Sequence, residues 1–170
     1  MNTQQRRVQI LAKLQAATSP LTGTELSDQF QVSRQVIVTD IAVLRAAGEQ
    51  ILASPQGYYL YRPQSDMVRA VVAVCHTPVQ TRAELTALVD VGVEVVDVIV
   101  EHPIYGEQRG MLHIASRLDV ELFMKQLAET GARLLSELTD GLHLHTLEAR
   151  RAEQLDQARQ VLRQLGYLIE

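Results

Sequence analysis

A chain of 170 residues that is 46% hydrophobic holds one large domain or two small ones, and is too apolar to remain disordered. Its one cysteine, Cys75, excludes an intramolecular disulfide framework and a thiolate-cage zinc finger. No run of about 18 apolar residues is present, which excludes a spanning helix of that kind. The opening MNTQQRRVQI lacks the apolar stretch of a signal peptide, so a soluble, cytoplasmic protein is expected. The net charge of −4 is unevenly spread. Residues 1–62 carry Arg6, Arg7, Lys13, Arg34, Arg45 and Arg62 against Glu25, Asp28, Asp40 and Glu49, a balance of +2, and the remainder carries −6. Nonspecific nucleic-acid binding along the whole chain is therefore unfavourable, whereas a small basic reader joined to an acidic partner domain is permitted.

Taken in order, Val8, Leu11 and Leu14 recur at helical spacing and predict a first helix over 3–17. Thr22 or Thr24 caps a short second helix containing Glu25, Leu26 and Phe30. Gln31-Val32 makes a tight connection, and Ser33 caps a third helix that ends near Ala47, with Gly48 as its stop. Ile37, Ile41 and Leu44 form its core stripe. Residues 50–53 and 58–61 then flank Ser54-Pro55-Gln56-Gly57, a hairpin signal. Three helices with a tight second turn, followed by a hairpin, describe a winged helix-turn-helix. The third helix of such a unit enters the major groove. Its readers here are Ser33, Arg34, Gln35, Val38, Thr39 and Arg45, since arginine pairs with guanine and glutamine with adenine through two hydrogen bonds each. On their own, these are also what a solvated helix face looks like.

Arg62-Pro63-Gln64-Ser65-Asp66 marks a break between a domain over 1–62 and another over 67–170. Beyond it, residues 67–75 form a valine-rich, largely buried strand, and 81–89 a helix with Leu85 and Leu88 inward. Residues 93–100 and 106–114 form an antiparallel pair. Residues 119–130 form a helix with Val120, Phe123 and Leu127 inward, ended by Gly131. A strand over 141–147 and a helix over 149–165 complete the order β-α-β-β-α-β-α. An α+β sandwich, with helices on one side of a mainly antiparallel sheet, satisfies that order.

His143-Leu144-His145 lies in the last strand, where residues two apart share a face, so both imidazoles can meet at one point while Leu144 takes the other face and anchors the arrangement in the core. His76 ends the first strand of this domain, and Glu84 lies early in the next helix. Three imidazoles and a carboxylate are a sensible set for a divalent metal. Taken singly, HxH is ordinary surface decoration, His76 and His113 are structural residues, and Cys75 is a buried filler.

The stretch LTGTELSDQFQVSRQVIVTDIAVLRAAG followed by GYYL resembles the helix-turn-helix of biotin-repressor-type bacterial regulators. Farther along, HTPVQTRAEL, VDVIVEHPIYGEQRG, IASRLDVELF and LTDGLHLHTLEA together resemble the three-histidine domain of niacin-responsive transcriptional repressors of NAD synthesis and niacin uptake. That resemblance spans essentially the whole chain. It implies an HPr-like fold for the second domain, nicotinic acid as corepressor, and a metal site on His76, Glu84, His143 and His145, with nickel or zinc as the divalent transition metal. Catalysis is not expected.

His102 and Tyr105 in HPIYGE, together with Arg109, either shape a turn or line the effector pocket; Arg109 or Arg117 is the guanidinium available to grip a carboxylate. Operator DNA is the expected partner and a homodimer the expected assembly, with the effector setting two readers through the linker near Pro63. Two alternatives remain open: a repressor for which the metal itself is the signal, and a metallohydrolase fused to a DNA-binding domain. The second lacks HExxH and a nucleophile elbow.

Overall fold

The structure is a computed structural model, describing residues 1–62 and 66–170. The chain divides into two compact units, Met1–Pro63 and Gln64–Glu170. The break expected across Arg62–Asp66 falls largely outside the described residues.

In the first unit, Asn2 accepts from the Gln5 N–H at 2.8 Å, and Gln5 accepts from the Asn2 N–H at 3.0 Å. This reciprocal cap starts α1, Thr3–Ala16. Thr22 and Glu25 repeat the device at the start of α2, Gly23–Phe30, so Thr22 and not Thr24 is the cap. Gln31, at φ 53°, turns the chain through the left-handed region, and Ser33 caps α3, Arg34–Ala46. Strands β1, Ile51–Ser54, and β2, Gly57–Leu60, form the hairpin. Leu21 and Tyr58 exchange backbone hydrogen bonds at 2.8 Å, tying the hairpin to the segment between α1 and α2. Gly57 makes this possible: its φ is +128°, and a Cβ there would strike the Leu21 carbonyl.

Ile10, Leu14, Leu26, Phe30, Ile37, Ile41, Leu44 and Ile51 form the core of this unit. The expected α1 stripe is corrected on one point. Val8 is exposed, and Ile10 fills the core with Leu14 one turn later. Asp40 is a second surprise. It is buried on the core side of α3, where it accepts from Arg6 Nε at 2.6 Å and Arg7 Nε at 2.8 Å. Two of the basic residues counted as available charge are thus spent inside the unit.

The second unit contains β3 (Val68–Cys75), α4 (Thr81–Asp90), β4 (Glu94–His102), β5 (Gly106–Ile114), α5 (Arg117–Thr130), β6 (Leu142–Ala149) and α6 (Ala152–Leu165). Short 3-10 turns at Pro78–Gln80 and Leu135–Thr139 were not foreseen. The sheet order is β3-β6-β4-β5, antiparallel throughout. One face presents Val72, Val74, Val95, Leu112, Ile114 and Leu147 to Leu85 and Leu88 of α4, Val120 of α5, and Leu155, Ala158 and Leu162 of α6. Truncating any of these large side chains to alanine should cost about 2–5 kcal/mol.

Several expectations need correction. On the edge strand β3, Val72 and Val74 are buried on the helix side, Val68 on that same side is exposed at the strand's start, and Val71 is exposed on the opposite face. On α5 only Val120 is fully buried; Phe123 and Leu127 are half-buried. Leu144 is half-buried on the sheet face opposite the helices and does not anchor the core. Leu147 and Ala149, which share the histidines' face, take that role.

Candidate functional site

β6 pairs in register with β3, setting His143 opposite Val74 and His145 opposite Val72. Both imidazoles therefore point to the helix-covered side, where they are 4% and 3% exposed. His76 follows the end of β3. Gly141, at φ +93°, lies against it so closely that a Cβ would run into the His76 carbonyl oxygen. Glu84 projects from the first turn of α4 and is 1% exposed.

These four side chains converge. Glu84 Oε2 lies 2.5 Å from His76 Nε2 and 3.6 Å from His143 Nε2, and Glu84 Oε1 lies 3.3 Å from His145 Nε2. Donor atoms of His76, Glu84 and His143 fall within 4.8 Å of one another, a group that can hold a metal ion. His145 approaches from the other carboxylate oxygen, its ring 4.8 Å from that of His143.

The tautomers explain why all three rings present the same nitrogen. His76 Nδ1 bonds the Thr77 carbonyl at 2.8 Å, His143 Nδ1 that of Gly141 at 2.8 Å, and His145 Nδ1 that of Asp97 at 2.6 Å. A carbonyl can only accept, so each Nδ1 carries a proton and Nε2 is the nitrogen each ring turns to Glu84, a donor to the carboxylate when the ring is charged and a lone pair for a cation when it is neutral. His145 Nε2 and Glu84 Oε1, 3.3 Å apart, form no well-aligned hydrogen bond and are buried with no other partner. Unpaired buried polar atoms are costly, and a cation between them would satisfy both.

Electrostatics agree. Burial works to raise the Glu84 carboxyl, but the imidazoles of His145, His143 and His76 outweigh it and hold the group well below the usual carboxylate range. Burial works to lower His76 and His145, and the Glu84 carboxylate overcomes it, so both rise above the ordinary imidazole value. The carboxylate thus favours positive charge on its neighbours.

Asp97 positions the far end of the cluster. β4 carries an irregularity between Val95 and Ile99 relative to β6, and another between Val95 and Asp97 relative to β5. There the Asp97 carboxylate accepts from the Thr146 N–H at 2.8 Å and from Arg109 Nη1 at 3.0 Å, and its own carbonyl orients His145. Asp97 was not singled out from sequence, although one acid inside VVDVIV was a visible signal.

The residues suggested for an effector pocket lie elsewhere. His102 sits at the tip of the β4–β5 hairpin, where its Nδ1 accepts from the N–H groups of Ile104 and Tyr105 at 3.1 and 3.2 Å, an architectural role. Tyr105 is exposed. Arg109 is engaged by Asp97 and Glu107, and Arg117 makes a two-fold contact with Asp90 at 2.7 and 2.6 Å. None of these four lines the cavity above the histidines. Its walls are Thr81, Leu85, Val98, Phe123 and the Leu134–Ser136 segment. The free interior is about 40 Å³, room for a water or two. Cys75 is half-buried and outside the ligand group. His113 contacts Glu94 at 2.5 Å.

In the first unit, Ser33, Arg34, Gln35, Val38 and Thr39 are all exposed on α3, on the side away from Ile37, Ile41 and Leu44. Arg45 is exposed too, but its Nε donates to the Ile51 carbonyl at 2.6 Å, bracing α3 against β1.

Comparison with known proteins adds the lineage. Residues 6–59 match the HTH domain family and residues 69–170 match the 3H domain family. Transcription repressor NadR of Bacillus subtilis is 44% identical over 168 residues, covering 97% of this chain and 93% of the relative. The chain belongs to the repressor family that its motifs resemble. Probable transcription repressor NiaR of Thermotoga maritima is 41% identical over 167 residues, 98% of this chain and 95% of the relative. A 3H-domain repressor is a regulator and not an enzyme, which removes the metallohydrolase alternative. Among the described residues, no helix of this repressor is long and apolar enough to cross a membrane.

Proposed function

We propose that this chain represses genes of NAD biosynthesis or niacin uptake. In this reading it binds operator DNA as a homodimer, with nicotinic acid as corepressor at or beside a metal on His76, Glu84, His143 and His145. The observation that carries it is the set of three Nδ1–H···O=C bonds, which leave three buried Nε2 atoms facing one carboxylate. A divalent transition metal, nickel or zinc, would supply an open position for a ring nitrogen or a carboxylate oxygen. The exposed residues Ser33, Arg34, Gln35, Val38 and Thr39 would face the major groove, while Arg45 would brace the helix that carries them.

With a net charge of only +2 on residues 1–62, and Arg6 and Arg7 tied to Asp40, one reader has few free cations for phosphate. Pairing two readers offsets that weakness. A coupling of about 1–3 kcal/mol between effector and operator would change DNA affinity about 5–150-fold. Titration calorimetry of metal-loaded protein with nicotinate and with nicotinamide tests the corepressor. Nicotinate should bind, and His143→Ala, His145→Ala protein should lose that binding; unchanged affinity in the double variant would remove the site from the account.

The small interior supports a second reading, in which the metal alone is the signal. Separate titrations of metal and nicotinate against operator binding distinguish the two.

A further inference from the structure

The Arg6–Arg7–Asp40 cluster of the first unit is not balanced in charge. Two guanidiniums and one carboxylate leave an excess of one positive charge, and Asp40 is buried with an oxygen on each Nε at 2.6 and 2.8 Å. The arginines are therefore not wholly spent on Asp40, which takes one edge of each. Among the described residues, neither Nη of either arginine makes a hydrogen bond, although the side chains are only 11% and 23% exposed. A guanidinium that folding has already ordered, with its outer donors unused, is prepared to grip an oxyanion. Both arginines line a groove of about 270 Å³ between α1 and α3, and Asp40 is the one carboxylate among its lining residues. Ser33 and Gln35 form its opposite wall and also belong to the exposed face of α3, so the groove borders the reading face. A helix seated in the major groove runs between two sugar-phosphate strands, which brings a phosphate diester to that border. Its single negative charge matches the excess on the arginine pair.

We propose that Arg6 and Arg7 clamp one backbone phosphate of the operator through their Nη groups, with Asp40 holding the pair in place. The clamp fixes how α3 lies in the major groove. This rests on the reading of the first unit as a DNA reader and names a contact that positions it. Phosphate contacts carry no sequence information, so the clamp acts alike on any duplex, in contrast to the base-reading role given to Arg34.

Full-length proteins are titrated by anisotropy against operator and scrambled duplexes at about 50–200 mM salt, in whichever condition of zinc and nicotinate binds operator most tightly. Arg7→Gln should bind both duplexes about tenfold more weakly and flatten the slope of log affinity against log salt by about 0.9 for each bound reader. Arg7→Lys keeps the charge and should restore the slope. Thr3→Glu places a carboxylate at the groove without touching the Asp40 pairing, and an acid in the first turn suits α1. It should melt no lower than the parent, yet weaken both duplexes alike with a flattened slope. A parental slope in either Arg7→Gln or Thr3→Glu refutes the clamp; lost affinity at a parental slope marks Arg7 as a brace for the fold. A loss confined to the operator refutes it too. If Arg7→Gln does not fold, Thr3→Glu decides alone. A parent that binds neither duplex removes the DNA reading itself, and the clamp with it.

Discussion

Replacing Asp97 by alanine separates the sheet's need for this residue from the cluster's. The carboxylate is fully buried and holds the Thr146 N–H at 2.8 Å, so its loss leaves a buried donor unpaired, at a cost of about 1–3 kcal/mol. The Arg109 contact adds little, since that guanidinium is nearly half exposed and can rehydrate. At about 4–8 °C per kcal/mol for a unit of about 100 residues, the melting transition of the second unit should fall roughly 4–24 °C. The irregular β4 segment that aims the Asp97 carbonyl at His145 Nδ1 then loses its support. Loss of such an outer contact typically weakens metal binding about 10–100-fold, or roughly 1.4–2.7 kcal/mol. Zinc titration calorimetry and a metal-free melt on the same preparation read both quantities. A variant with a lower melting temperature but parental zinc affinity would show that Asp97 serves the sheet alone, and would refute the claim that it positions His145.

Two further outcomes follow from the first unit. Burial works to raise Asp40, but the adjoining Arg6 and Arg7 hold its carboxyl below the usual value of 3.8. A carboxyl lowered on folding stabilises the fold above its unfolded value and loses that contribution as pH falls through the folded one. Melts from pH 6 to 2 should therefore show the first unit weakening below about pH 4. Asp40→Ala should cost about 1.5–3 kcal/mol at neutral pH and flatten that slope; a parental profile would remove the Asp40 pairing from the account. Arg34→Ala should weaken operator binding by about 1–3 kcal/mol and relax preference at one base pair, read by anisotropy on a panel of single-base variants. A uniform loss across the panel would assign Arg34 to phosphate.

Element order was legible because the signals were local. Caps at Thr22 and Ser33, stops at Gly48 and Gly131, and the β-α-β-β-α-β-α rhythm all act within a few residues. The convergence of His143 and His145 was legible from strand alternation, and the matched motifs supplied His76 and Glu84. Features set by strand position and by contacts distant in sequence were not. Whether β3 is central or edge depends on sheet order, and which of its faces the helices cover depends on packing; these leave Val68 and Val71 exposed. Leu144 read as core because it is apolar, but the helices pack on the histidine side. Asp40 meets Arg6 and Arg7 across more than 30 residues, and Asp97 meets Thr146 across 49. Arg109 and Arg117 offer guanidinium charge to an effector in the sequence, but nearby carboxylates already engage both.

Operator anisotropy with chelator-stripped and zinc-restored protein, each with and without nicotinate, reaches the centre of the account. Nicotinate should tighten DNA binding about 5–150-fold in the zinc-restored protein and leave the stripped protein unchanged. Equal tightening in both, or release of DNA by nicotinate, would contradict it.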